Sequence, residues 1–196
     1  MLADPVVTTS VANLPNLLTF LRILLIPILV VLLVDPGPGA SLLAASTFFV
    51  ACWSDFLDGY LARRHGLSTV LGKLLDPLAD KLIVMAALVM LAASVREPRV
   101  PAWMVVLIVG RELAVTGLRA IAVGEGIVLA AEELGKYKMI FQMFALHGLL
   151  LHYRFWGVDF HTAGMYFLWV SLAVSVWSGI DYHLRVIRIA VVRRDR

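Results

Sequence analysis

Apolar residues fill six long stretches of the chain, about residues 17–34, 40–62, 71–94, 101–122, 136–153 and 162–186. Polar and turn-forming residues gather between them. Each stretch is close to the roughly 20 residues that an α-helix needs to cross about 30 Å of hydrocarbon. In such a solvent a segment must satisfy its own backbone hydrogen bonds, which a helix does. The pattern therefore predicts an all-α, polytopic membrane protein with six transmembrane helices, organised as one domain over residues 1–196. Pro36, Gly37, Pro38 and Gly39 break the first stretch from the second. Arg96, Glu97, Pro98 and Arg99 separate the third from the fourth, and residues 154–161 part the fifth from the sixth. Ahead of the first span, Asn13 to Phe20 reads as a short amphipathic helix lying at the membrane interface, with Pro15 near its start. No internal repeat is evident.

Composition sharpens this reading. Of the 196 residues, 61% are hydrophobic, and the mean hydropathy of +0.88 lies outside the range of soluble domains. Cys52 is the single cysteine, so no intrachain disulfide can form, and its apolar helix suits a small buried hydrophobe. The N-terminus has no basic segment and carries Asp4, so no cleaved signal peptide is expected. The net charge of +3 is modest and its cations cluster at helix ends, which suits anionic headgroups and phosphate-bearing substrates rather than nucleic acid. Arg63, Arg64, His65 and Lys73 lie in the second-to-third connection, and Arg119, Lys136 and Lys138 around the fourth-to-fifth. Arg193, Arg194 and Arg196 end the tail. Positive charge favours the cytoplasmic side, so both termini and these connections are expected there, facing inward from the cell's inner membrane. Arg96, Arg99 and Arg154 lie on the opposite side. Trp103, Tyr153, Trp156 and Tyr182 sit near span ends, as interfacial aromatic residues do.

Four carboxylates change the picture most. Asp55, Asp58, Asp76 and Asp80 stand within or beside apolar stretches, where a charge is costly and marks a functional site. Asp55, Asp58 and Ala62 fall at i, i+3 and i+7, on one helical stripe, and Asp76 and Asp80 are i, i+4 on the next helix. A turn around Gly66 to Thr69 would fold the second helix against the first and bring the four acids together. Their repulsion and desolvation demand compensation, for which Mg²⁺ or Mn²⁺ suits an all-oxygen ligand set.

The segment D-F-L-D-G-Y-L-A-R-R-H-G-L-S-T-V-L-G-K-L-L-D-P-L-A-D resembles the signature of the CDP-alcohol phosphotransferases, D-x2-D-G-x2-A-R-x8-G-x3-D-x3-D, at all eight fixed positions. These are Asp55, Asp58, Gly59, Ala62, Arg63, Gly72, Asp76 and Asp80. Asn13 to Arg22, Gly110 to Leu113 and Leu134 to Lys138 are similar to the branch that uses sn-glycerol 3-phosphate. The resemblance implies transfer of a phosphatidyl group from CDP-diacylglycerol to an alcohol, with release of CMP. It also implies two metal ions held by Asp55, Asp58, Asp76 and Asp80. Spacing leaves open which aspartate is the base, and the resemblance assigns that role to Asp80. It places Gly59, Ala62, Arg63, Thr69 and Gly72 against the CDP-lipid. Asn16, Thr19 and Arg22 of the amphipathic helix either close over the cytidine or anchor that helix at the interface. Gly59 and Gly72 permit close backbone approach, and Arg63 offers a planar donor fork to a diphosphate. Thr69 also reads as a helix-capping hydroxyl.

An acceptor bearing its own phosphate needs a second basic pocket, for which Lys81, Arg111, Arg119, Lys136 and Lys138 are candidates. Arg111 interrupts an apolar span and needs an anionic partner, either the acceptor or a structural carboxylate such as Glu112. Lys136 and Lys138 also fit as charges that set orientation. His147, His152, His161 and His183 show no metal spacing with the aspartates and read as structural, and His65 could touch a phosphate. The chain is expected to work among membrane lipids as a homodimer. Inositol phosphate, serine and phosphatidylglycerol are alternative acceptors. A cation transporter is the competing class, although it gives Arg63 and the glycines no role, and a lipid-binding scaffold would not require four acids.

Overall fold

The computed structural model describes residues 14–65, 70–125 and 133–194. Within them the chain is helical except for one small hairpin. The helices are α1 (Leu14–Leu32), α2 (Pro38–His65), α3 (Val70–Ala93), α4 (Ala102–Gly124), α5 (Glu133–Leu151) and α6 (Phe160–Arg194). Each covers one of the six apolar stretches. They form two compact units divided between Arg99 and Val100, α1–α3 in the first and α4–α6 in the second.

Local chemistry sets several of these boundaries. Pro38 opens α2, where its fixed φ suits a helix start and its missing N–H costs nothing. The N–H of Ser41 reaches back to the Gly37 carbonyl at 2.9 Å. Pro27 and Pro77 lie inside α1 and α3, and each removes one rung of its helical ladder. The sequence led us to expect a separate interfacial helix at Asn13 to Phe20. Asn13 lies outside the described residues, and residues 14–20 are instead the opening turns of α1, continuous with the first span. Nothing breaks the helix there, because its polar residues Thr19 and Arg22 are buried against partners in the first unit.

In the first unit the core is built from Leu29 and Leu33 of and after α1, Ala44, Phe48 and Ala51 of α2, and Ala87, Leu88 and Leu91 of α3. The second unit buries Met104, Val105 and Ile108 of α4, Leu146, Leu149 and Leu150 of α5, and Leu168 and Leu172 of α6. Tyr182, expected near a span end, is buried. It packs with Val115, Ala122 and Val186, while the Arg119 guanidinium lies 5.6 Å from its ring centre. Large apolar side chains such as Val31, Phe49, Val89, Val106, Phe144 and Trp177 are exposed on all six helices. An exterior of this kind matches a hydrocarbon surround. Among the described residues, Phe160–Ile189 in α6 is the stretch long and apolar enough to cross a membrane, and Leu17–Leu32 is apolar but shorter.

The connection between α5 and α6 is a hairpin that the sequence pattern did not reveal. Strands β1 (Arg154–Phe155) and β2 (Val158–Asp159) pair antiparallel, with Arg154 opposite Asp159 and Phe155 opposite Val158. The turn residues Trp156 and Gly157 have φ of 48° and 79°, the doubly positive combination that gives a two-residue turn the twist of its strands. Trp156 is 98% exposed. Asp159 then caps α6, accepting from the Thr162 N–H at 3.0 Å and from its hydroxyl at 2.9 Å. These bonds hold its carboxyl below the usual carboxylate range.

Helices α5 and α6 meet at two glycines. A Cβ on Gly164 would stand 2.7 Å from the Leu149 nitrogen, and one on Gly148 would stand 2.9 Å from the Gly164 Cα. Both obstacles are backbone, so neither can step aside, and small residues here let the helices touch. Gly164→Val is expected to destabilise the protein by about 1–3 kcal/mol, the usual cost of overpacking. Gly117→Ala, in open space on α4, should leave the melting temperature unchanged or slightly higher. Equal melting temperatures for Gly164→Val and the parent would refute the close contact.

Candidate active site

Three helices of the first unit bring their polar side chains to one place. Asp55 comes from α2, Asp76 and Asp80 from α3, and Thr19 and Arg22 from α1. Thr19 and Arg22 are three apart, so both point from one face of α1. Thr19 Oγ1 donates to Asp76 Oδ1. The Arg22 guanidinium is only 1% exposed and commits all three of its nitrogens. NH1 binds Asp80 Oδ1, NH2 lies 3.4 Å from Asp55 Oδ1, and Nε donates to the Ala51 carbonyl at 3.4 Å. One guanidinium thus bridges carboxylates of two helices, each nitrogen of its planar fork serving a different partner.

The sequence put Thr19 and Arg22 over the cytidine, and the structure adds a bond from each to an aspartate. The signal was available: a lone cation in an apolar helix needs an anion, and the aspartates are the anions at hand. Thr69 lies outside the described residues, as do the side chains of Asn16, Asp58, Gly59, Ala62, Arg63 and Gly72.

The donors fit a hard divalent cation. Carboxylate oxygens beside a hydroxyl form an all-oxygen set, and three carboxylates with one guanidinium carry excess negative charge. Among the described residues no three acidic, histidine or cysteine side chains are drawn together tightly enough to hold an ion by themselves. Arg22 instead occupies the position between Asp55 and Asp80.

A second polar centre forms within the other unit. Arg111 of α4 donates from Nε to the Ser175 carbonyl of α6 at 2.9 Å and from NH2 to Ser178 Oγ. Its NH1 lies 3.4 Å from Glu112 Oε2, and the same oxygen binds the Lys138 Nζ of α5. Glu112 therefore ties together two of the five cations expected to bind an acceptor, a bond to Lys138 that the sequence did not suggest. Gly179 makes room for the arginine, since a Cβ there would stand 3.0 Å from Arg111 Cγ. The Ser175 hydroxyl is buried without a hydrogen-bond partner among the described residues. Lys136 is exposed, Arg119 is engaged with Tyr182, and Lys81 is half-buried on α3. His147 and His183 each bond a carbonyl four residues back, at 2.8 and 2.7 Å, and His152 pairs with His161 at 3.2 Å. These are structural roles, as the sequence suggested.

The family model for CDP-alcohol phosphatidyltransferases matches residues 12–177. The chain belongs to that family. Its members are membrane enzymes, and the match takes in α1, which carries Thr19 and Arg22, as well as the aspartate helices. A CDP-diacylglycerol–glycerol-3-phosphate 3-phosphatidyltransferase of Bacillus subtilis (strain 168) is 45% identical over 183 residues, covering 87% of this chain and 93% of its own. A Rickettsia typhi protein of the same name is 36% identical over 87% of this chain and 94% of its own. A probable phosphatidylglycerophosphate synthase of Mycobacterium tuberculosis (strain H37Rv) is 34% identical over 91% and 83%. Membership of this enzyme family removes the ground for the transporter and scaffold readings.

Proposed function

We propose that this chain is a membrane phosphatidyltransferase that makes phosphatidylglycerol phosphate and CMP from CDP-diacylglycerol and sn-glycerol 3-phosphate, in phospholipid biosynthesis. The observation that carries the proposal is the pairing of buried Arg22 with Asp55 and Asp80, beside Thr19 bonded to Asp76, in a chain similar along 87% of its length to transferases of that name. The acceptor rests on those names. In this reading the acceptor's hydroxyl oxygen bonds to the phosphorus carrying the diacylglycerol, the bond from that phosphorus to CMP breaks, and Asp80 takes the hydroxyl proton. Asp55, Asp58, Asp76 and Asp80 would hold Mg²⁺ or Mn²⁺, two ions in all, which would neutralise the diphosphate and the departing phosphate. Gly59, Ala62, Arg63, Thr69 and Gly72 are assigned to the CDP-lipid. Arg111 and Lys138 are the favoured acceptor cations, since two donors already converge there on one anionic oxygen, beside the buried Ser175 hydroxyl. The proposed enzyme crosses the inner membrane six times through α1–α6, with its aspartates on the cytoplasmic side, and acts as a homodimer.

Purified protein in detergent micelles, given CDP-diacylglycerol and a panel of alcohols, tests the proposal through CMP release. Glycerol 3-phosphate is expected to be the preferred acceptor over inositol phosphate, serine and phosphatidylglycerol. Exhaustive chelation should abolish release, with Mg²⁺ or Mn²⁺ restoring it and Ca²⁺ substituting poorly because of its larger, looser shell. Full activity after chelation removes the metal from the reading, and a faster reaction with another alcohol replaces the acceptor.

A further inference from the structure

Arg22 is the most deeply buried charged side chain among the described residues, at 1% exposure. The transfer chemistry gives it no task, and the sequence placed it only over the cytidine or at the membrane interface. Its position supplies one. The guanidinium lies between Asp55 of α2 and Asp80 of α3 and is anchored from below by the Ala51 carbonyl. The oxygens it holds, Asp55 Oδ1 and Asp80 Oδ1, belong to the carboxylates a bridging dication would draw together. Resting on the metal reading above, we infer that Arg22 is a resident counter-ion. It keeps the aspartates of α2 and α3 assembled when no divalent cation is bound, and competes with that cation for them.

The two halves of this role have opposite signs. Without metal, carboxylates brought together in a weakly polar bundle repel one another, and one buried guanidinium relieves that repulsion. With metal, the same positive charge opposes a nearby dication and must release at least part of its hold on Asp55 and Asp80. Arg22 therefore stabilises the metal-free protein and weakens metal binding. Thr19 fits the same scheme, because its hydroxyl fixes Asp76 from the next turn of α1. Helix α1 is thus a positioning element for the acidic site.

The test uses the full chain in detergent, with free Mn²⁺ followed by electron paramagnetic resonance and unfolding followed thermally. Arg22→Gln keeps hydrogen-bonding atoms and deletes the charge. It should bind Mn²⁺ about tenfold more tightly, the effect of removing one repulsive unit charge from a partly buried site. Its melting temperature in chelator should fall, and the rise on adding Mn²⁺ should exceed that of the parent, because ligand-linked stabilisation grows with affinity. Arg22→Lys retains the charge without the bridging fork, and should lie between the two in both readouts. If Arg22→Gln does not fold, Arg22→Met, which also deletes the charge, decides by the same comparison. Unchanged or weaker Mn²⁺ binding in the deciding variant overturns the inference, since a merely structural arginine would shift stability alone. Asp55→Asn and Asp80→Asn separate this from the metal reading. If they abolish Mn²⁺ binding while the arginine variants leave it unchanged, the counter-ion role alone fails. If the parent protein binds no Mn²⁺, both fail.

Discussion

Asp80→Asn removes most of the turnover while CDP-diacylglycerol still binds. The expected loss in kcat is on the order of 10²- to 10⁴-fold, the range typical of a positioned acid–base group. Asparagine preserves the shape of the side chain and can still accept from Arg22 NH1, the neighbour that Asp80 holds in the structure. It cannot take a proton from the acceptor hydroxyl. Asp55→Asn and Asp58→Asn should behave differently, weakening metal and nucleotide together, because these carboxylates are assigned to binding rather than to proton transfer. Rates of CMP release, measured beside direct binding of the CDP-lipid, distinguish the two patterns. Near-normal turnover in Asp80→Asn rules it out as the base. The double substitution should cost less than the product of the singles, since ligands of one site act as a unit.

Arg111 gives the second large effect, on the other substrate. If its guanidinium grips the phosphate of glycerol 3-phosphate, Arg111→Ala should lower kcat/KM for that acceptor by on the order of ten- to a hundred-fold, the equivalent of about 1.5–3 kcal/mol for a lost charge-assisted contact. Arg111→Lys should already raise the acceptor KM, because an ammonium cannot reproduce the fork. The KM for CDP-diacylglycerol should stay nearly constant. The structure also defines the opposite outcome. Arg111 joins α4 to α6 through Ser175 and Ser178 and shares Glu112 with Lys138. If that lattice is its whole purpose, both substrates weaken in parallel and the protein melts earlier, which would move the acceptor pocket to Lys81, Arg119, Lys136 or Lys138.

The helices were legible because each apolar stretch is long and bounded by charge or proline, so α1–α6 follow the sequence pattern closely. The aspartates were legible for a related reason: a carboxylate in such surroundings has few explanations. What the sequence hid depends on contacts between distant residues. Thr19 carries no local sign that α1 turns it toward Asp76, 57 residues away, and Arg22 signals its need for an anion but not that Asp80, 58 residues away, supplies it. Lys138 likewise gives no hint of a bond to Glu112 from 26 residues away. Gly148 and Gly164 look like ordinary helix glycines until the backbones are seen to touch. The separate interfacial helix was expected from polar residues that α1 in fact buries. The hairpin at 154–159 escaped because its turn places a tryptophan at positive φ, where a bulky residue is rarely found.

The length of α6 bears on how it would sit in a bilayer. Its 35 residues extend about 52 Å at 1.5 Å per residue, far more than the roughly 30 Å of hydrocarbon. Asp159 stands at its head, and the next Asp, Glu, Lys or Arg is Asp181. The uncharged rod between them measures about 31 Å, a near match to the hydrocarbon thickness. Sliding the helix by even one turn would draw a charge into the apolar layer at one end or expose apolar surface at the other. The remaining stretch beyond Asp181, with its Asp181–Arg185 pair at 2.6 Å, adds about 20 Å of helix to that uncharged rod.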